Sequence, residues 1–268
     1  MGSKTVQGLI AYFVALWSYR YFWFNLVKAE LQRRYRRSFL GLGWSLLQPL
    51  SMTIVLGIVY GRIFKISFWD FAPTLLCGLA FWNMFSQSVL RGCDSLVASE
   101  AYIRQKPLPL AMFPLRTVLT IGFHFLISVA LTMVLVWPVK GIFSPLALLS
   151  LIPILFLLFV LSWSLAILAG FSHTYFPDTQ HLAEVSLQVL MFMTPIMYPA
   201  RLLQENGLKW LIDFNPLALL VEMLRDAAIH GQAPSLTTFA IASGLIALLA
   251  VASIYVVRRL EDRVVFAL

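Results

Sequence analysis

"NLVKAELQRRYRRSFLGLGWSLLQP", residues 25–49, carries four arginines straight into the start of an apolar run. Arg33, Arg34, Arg36 and Arg37 stand where the chain enters hydrocarbon. Lys and Arg beside a membrane span are held on the cytoplasmic side, so this stretch orients everything that follows it. Guanidinium groups also pair well with phosphate, which places an anion-friendly cluster at the mouth of whatever the spans enclose.

The whole chain agrees with that reading. Of 268 residues, 60% are hydrophobic and only 12% charged, and the mean hydropathy is +0.84. A soluble domain is about 25% charged, so an ordinary soluble globule is excluded. The net charge of +8 reads as cytoplasmic loop charge facing anionic headgroups, not as a nucleic-acid surface. Cys77 and Cys93 are too few for a disulfide framework, and buried thiols are expected. Residues 1–9 lack the pattern of a cleavable signal, which leaves membrane targeting to the spans.

Six apolar stretches follow the basic run, at 44–61, 71–90, 117–137, 147–171, 182–199 and 236–257. Each is long enough to give about 27 Å or more of helix. The fifth is the weakest, with Glu184 near its start and Pro195 and Pro199 near its end. Ahead of them, residues 9–26 are long enough to span but contain Arg20 and eight aromatic residues. Trp and Tyr favour the headgroup zone, so 9–30 reads as an amphipathic helix lying in the interface. With six spans and both termini cytoplasmic, fourteen Lys and Arg fall inside and six outside, as the positive-inside rule requires. The fold class predicted is an all-α integral membrane protein, with residues 1–268 forming a single domain.

Two connections are unusual. In 91–116, the part from Asp94 to Lys106 reads as a short cytoplasmic helix stopped by Pro107, Pro109 and Pro114. In 200–231, Asn215 is placed to cap a helix with Pro216 at its first position and Gly231 as its stop. Leu217, Leu220, Val221, Leu224 and Ala228 share one face of that helix, and Glu222, Arg225 and Asp226 are expected off it. A short re-entrant or interfacial helix between spans five and six follows.

Catalytic chemistry finds little support. A P-loop needs a Gly-Lys pair to cradle phosphates, and the chain has none. Any ATP, with its Mg, is therefore expected on a different polypeptide, with no cofactor bound by this one. His173, Asp178, His181 and Glu184 lie close in sequence, but Pro177 interrupts their common face, so a solvated loop is favoured over a metal site. His124 falls in mid-span, where an interhelical hydrogen bond is favoured over a proton relay. The spans otherwise lack central ionisable groups, which argues against coupling to an ion gradient. Aromatics make up 14% of the residues. Most serve the interface, while Trp44, Tyr60, Phe192 and Tyr198 are placed to offer flat faces to sugars along a conduit.

Four segments in order resemble the membrane subunit of polysaccharide and polyol-phosphate ABC exporters, of the type-2 permease class. They are "ELQRRYRRSFLGLGWSLLQP", "IRQKPLPLAMFPL", "YFPDTQHLAEVSLQVLMFMTPIMYP" and "FNPLALLVEMLRDAAIHG". The resemblance covers essentially the whole chain. It implies a homodimer of six-span chains in the bacterial inner membrane, with two ATP-binding subunits docked on its cytoplasmic face. The cargo implied is a lipid-linked glycan, such as O-antigen or capsule, or a teichoic-type polymer. Carried onto this sequence, the first helix and Glu100, Tyr102, Arg104 and Lys106 become the ATPase docking surface. Arg33, Arg34, Arg36 and Arg37 become the contacts to the lipid phosphate. The competing class is an ion-driven or passive carrier, or a structural partner in glycan assembly.

Overall fold

The computed structural model describes residues 11–36, 41, 43–140 and 144–268, and these are helical with no strand. Residues 11–18 form α1, and a turn at Tyr19 leads into α2 (Arg20–Tyr35). The long helices are α3 (Gly43–Phe64), α4 (Phe68–Val97), α6 (Met112–Lys140) and α7 (Pro145–Tyr175). A four-residue α5 (Glu100–Ile103) joins α4 to α6. The remainder runs α8 (Thr179–Met193), α9 (Ala200–Glu205), α10 (Trp210–Asp213), α11 (Pro216–Arg225), a π-helical turn at Asp226–His230, and α12 (Leu236–Ala267).

Four of these are long and apolar enough to cross a membrane: Leu47–Phe64, Met112–Pro138, Pro145–Tyr175 and Leu236–Ala267. They coincide with the expected first, third, fourth and sixth spans. The expected second span lies within α4, whose 30 residues extend for about 45 Å. This helix is the axis of the fold, packed by α3, α6, α7, α8 and α11. Most of its surface is buried, and one face carries Asn83, Gln87 and Arg91, which a lipid-facing helix would not. Its crossing with α7 is close because small residues meet there. A Cβ on Gly92 would lie 2.7 Å from the Ala166 Cα, and one on Gly170 would lie 2.8 Å from the Gly92 carbonyl. Small side chains let the two backbones approach, as in other tightly packed membrane helices.

Several expected boundaries move. The helix predicted over Asp94–Lys106 is divided: Asp94–Val97 continue α4, and only Glu100–Ile103 form the separate turn. The fifth apolar stretch, 182–199, is helical only to Met193. Pro195 has no N–H to donate and obstructs the preceding turn, so the chain leaves the helix at Thr194.

That break exposes carbonyl groups, and α11 supplies the donors. Asn215 caps α11 by accepting from the Leu217 N–H at 2.9 Å. Its amide donates to Thr194 Oγ1 at 2.9 Å. Arg225, 2% exposed, donates to the Pro195 carbonyl at 2.8 Å, the Ile196 carbonyl at 2.9 Å and the Thr74 carbonyl of α4 at 3.2 Å. Its remaining partner is Glu222 at 2.7 Å. The predicted cap, first-position proline and glycine stop are all present, with Gly231 in the left-handed region (φ 65°). So is the buried face of Leu217, Leu220, Val221, Leu224 and Ala228. Arg225 is the exception to the expected pattern: placed off the apolar face by helical spacing, it is buried because three carbonyls from two other segments await it.

Replacing Arg225 with Met should strand those carbonyls and the Glu222 carboxylate. A loss of about 3 kcal/mol or more is expected, as for other broken buried pairs. Glu222→Gln, whose side chain is partly solvated, should cost less than about 1 kcal/mol. Thermal unfolding of the two variants in detergent checks this; equal midpoints would refute the role assigned to Arg225.

Candidate functional site

The basic run is helical as far as Tyr35, so Arg33 and Arg34 project from the last turn of α2. Because α2 packs along α6, they meet arginines from two other helices. A hollow of about 510 Å³ is lined by Glu30 and Arg33 of α2, Arg91 and Asp94 of α4, Tyr102 of α5 and Arg116 and Thr117 of α6. A second, of about 330 Å³, joins Arg34 and Thr120 to Glu30, Arg33 and Arg91. Four guanidinium groups thus share a small volume with few carboxylates. Glu30 lies 3.4 Å from Arg116, and Asp94 lies 3.8 Å from His173. Arg36 follows α2 and is exposed; Arg37 lies outside the described residues.

Arg34 and Arg91 also border a third space, a polar cleft of about 400 Å³ between α3, α4 and α6. One face of α4 supplies Leu79, Trp82, Asn83, Ser86, Gln87 and Arg91, at helical spacings of three and four. From α6 come Ile121, His124 and Ser128, and from α3 Gln48, Pro49 and Met52. Arg91 Nε donates to Gln87 Oε1 at 3.0 Å, which fixes the guanidinium at the boundary between cleft and basic hollow. Asn83 and Gln48 are exposed although both lie within apolar helices. Polar groups at that depth face a cavity or a partner in preference to lipid. Chemically, the mouth is built for an anion and the interior for hydrogen bonding.

Sequence reading placed two of these arginines and did not bring Arg91, Arg116, Gln87 or Asn83 to the site. The signal was present as Asn83, Gln87 and Arg91 at intervals of four in an otherwise apolar stretch. The four aromatic candidates do not gather at the cleft. Trp44 and Tyr60 are about 24 Å apart along α3. Phe192 is exposed on α8, and the Tyr198 hydroxyl donates to the Phe192 carbonyl at 2.6 Å. The aromatic that does line the cleft is Trp82.

On α5, Glu100 and Arg104 form an exposed ion pair at 2.7 Å, and Lys106 is exposed beyond it. Tyr102 packs edge-on against Phe22 of α2, with ring centroids 5.8 Å apart. Ile103 is buried beneath them. Nearby, Glu261 of α12 accepts from the Leu110 N–H at 2.6 Å and from the Tyr12 hydroxyl at 3.0 Å. The Ala111 N–H donates to that hydroxyl at 3.2 Å. Burial, and then the Glu261 carboxylate, push the Tyr12 phenol far above its ordinary range, so it remains a donor. The histidine loop separates into pairs, His173 with Asp94 and His181 with Glu184 at 3.7 Å. Among the described residues no three metal-ligating side chains come together.

Residues 21–229 match the ABC-2 type transporter family. An O-antigen export system permease protein, RfbA, of Klebsiella pneumoniae is 24% identical over 207 residues, covering 77% of this chain and 79% of its own. RfbA of Myxococcus xanthus is 29% identical over 215 residues, with the same coverage of both. The polysialic acid transport protein KpsM of Escherichia coli is 26% identical over 205 residues, covering 75% and 79%.

Glu30 is the internal competitor for any anion at the arginine cluster. In Glu30→Gln, anionic lipid such as phosphatidate should be retained several-fold more strongly than in the parent, as read by mass spectrometry of the intact protein released from detergent. Arg91→Gln should shift retention the other way. No change in either variant would show that the cluster does not gather phosphate.

Proposed function

The chain belongs to the ABC-2 type transporter family, and we propose that it is the permease subunit that moves a lipid-linked polysaccharide across the bacterial inner membrane. The observation that carries this reading is the set Arg33, Arg34, Arg91 and Arg116 around Glu30, opening into a polar cleft within the membrane helices. Relatives named for O-antigen and polysialic acid transport support the substrate class.

In this reading residues 1–268 are one membrane domain with six crossings. The four apolar helices are joined by α4, most of whose surface is buried, and by α8 continued through the 194–199 segment. Both termini are cytoplasmic. The first two helices lie at the interface. Exposed Phe13, Trp17, Tyr21 and Phe24 recur every three or four residues along them, which supports one lipid-facing side. The α11 helix enters the membrane from outside; its buried contacts with α4, α7 and α12 support that depth.

Guanidinium groups hold a diphosphate through paired, charge-assisted hydrogen bonds, so the arginines receive the lipid carrier. Beside them, on the other flank of α2, an apolar groove of about 780 Å³ lined by Trp23, Phe24, Phe123 and Phe159 suits the hydrocarbon tail. Two copies of the chain enclose the conduit, and Trp44, Tyr60, Phe192 and Tyr198 are proposed to line its wall. Two ATP-binding subunits, carrying the ATP and Mg, dock on α5 through Glu100, Tyr102, Arg104 and Lys106. Closure of those subunits pushes α5, and Tyr102 against Phe22 passes the push to α2 and its arginines.

Purification of the tagged chain from its native membrane should bring down a stoichiometric ATP-binding protein whose ATPase activity rises with lipid-linked glycan. A chain with no such partner would sink this reading in favour of a carrier or a scaffold. Within the complex, replacing Glu100, Arg104 and Lys106 together should abolish most of the glycan-stimulated ATPase while the chain still inserts and dimerises. Undiminished stimulation would remove α5 from the coupling path.

A further inference from the structure

Away from the arginine cluster, α1 does not close fully on the bundle. A groove of about 260 Å³ runs between it, α7 and α12. On α7 it extends from Ile167 to Phe156, about 16 Å, and on α12 from Arg258 to Ala250, about 12 Å. Phe156 and Ala250 stand near the midpoints of two helices long and apolar enough to cross a membrane. The groove therefore leads from the middle of these helices toward the junction of Tyr12, Ala111 and Trp163. Phe13 and Phe156 on its rim are 44% and 64% exposed, so it is open from the side.

Its walls suit hydrocarbon. The Ser164 and Ser253 hydroxyls donate to the Val160 and Ala250 carbonyls, both at 2.8 Å. Trp163 donates to the Ala111 carbonyl and Tyr12 to the Glu261 carboxylate. Short of Arg258, every side-chain donor on these walls is thus turned back on the protein, and the lining between them is alkyl and aromatic. Arg258 is exposed at one end, the one charged side chain among the described residues lining the groove. It interacts within the chain, and a guanidinium with five N–H donors can serve a neighbour and a phosphate together. Around it, Arg258, Arg259 and Arg263 outnumber Glu261 and Asp262.

An apolar slot that ends at a guanidinium has the polarity profile of a phospholipid, a hydrocarbon tail followed by a phosphate. A sugar would leave its hydroxyls unpaired there, and a free anion would gain nothing from the slot. We propose that this groove binds one acyl chain of an anionic phospholipid whose phosphate pairs with Arg258. The long arginine stem lies along apolar surface while its head reaches the headgroup level, and basic residues between membrane helices select acidic lipids in this way. The bound chain completes the packing of α1, which the Tyr12–Glu261 hydrogen bond and the edge-on pair of Phe13 and Trp163, with centroids 6.5 Å apart, leave open. No described residue lines both this groove and the arginine hollows, so the site stands apart from them and from the cargo assigned to them.

The test uses the full-length chain in nanodiscs that contain either a phosphatidylglycerol with a photoreactive diazirine in one acyl chain or the matched phosphatidylcholine. Peptide mapping should find the label in 156–167 and 250–258. Phosphatidylglycerol should label these segments roughly fivefold more heavily, the preference that one basic side chain near the headgroups supplies. Arg258→Gln should bring the two lipids level, whereas Arg258→Lys, which keeps the charge, should retain most of the preference. Arg34→Gln, in the arginine cluster, should leave the labelling of both segments unchanged. Ala250→Phe, which fills the deep end of the groove, should cut labelling by both lipids; an unchanged thermal midpoint verifies its fold, and Ile254→Trp serves if Phe perturbs it. Absence of label from the two segments would overturn the site. Equal labelling by the two lipids in the parent chain, or a preference that survives Arg258→Gln, would overturn the pairing of Arg258 with the phosphate.

Discussion

A helix that stops among packed neighbours must find partners for the carbonyls it leaves behind, since a buried carbonyl with neither water nor a donor is costly. In this chain Pro195 stops α8, and Arg225 is the answer. One guanidinium reaches carbonyls of Pro195, Ile196 and Thr74 and so ties the broken end of α8 to α4. The tie requires Gly78: a Cβ there would sit 2.5 Å from Arg225 Nη2 and 2.8 Å from the Ile196 carbonyl. Arginine is suited to the task because its donors are fixed in a planar fork, whereas a lysine offers one point charge. The position of α4 follows from this lock at one end and from the Gly92–Ala166–Gly170 crossing at the other. Between the two fixed points lies the polar face that lines the cleft.

The opposite end of the bundle is organised by a smaller device. Glu261, from the last helix, satisfies the Leu110 N–H ahead of α6, where a helix start leaves donors without intrahelical partners. Tyr12 from the first helix shares that carboxylate, and Trp163 of α7 donates to the Ala111 carbonyl at 3.1 Å. Three segments distant in sequence therefore converge on Leu110 and Ala111, between Pro109 and Pro114. In the proposed mechanism this junction is the fixed point, and α5, held to α2 through Tyr102 and Phe22, is the part that moves against it.

Much of this was legible in the sequence, and the reason differs by element. The membrane class followed from composition, and α11 from three local signals at Asn215, Pro216 and Gly231 that act within a few residues. The end of α8 was readable in part, since Pro195 was recognised as a weak point but not as a stop. Arg225 was not readable, because its burial depends on carbonyls at 74, 195 and 196 that no local pattern brings near. The arginine cluster lay between these cases. Arg33 and Arg34 announce themselves as a run, whereas Arg91 and Arg116 look like span-end charges until α2 is packed beside them.

The contrast between mouth and cleft bears on how a polymer could pass. Charged groups bind phosphate tightly, and tight binding repeated along a path would halt movement. Conduction demands sites favourable enough to enter and weak enough to leave. Here the strong contacts are confined to the arginines, with Glu30 at 3.4 Å from Arg116 to moderate them. The cleft beyond offers amides, hydroxyls and an imidazole, whose individual hydrogen bonds contribute only about 1 kcal/mol each in exchange with water. In the proposed function, such a wall holds each sugar weakly enough to release it for the next. In that reading, affinity sits at the lipid end and tolerance along the chain, as export of a long glycan requires and capture of one small molecule does not.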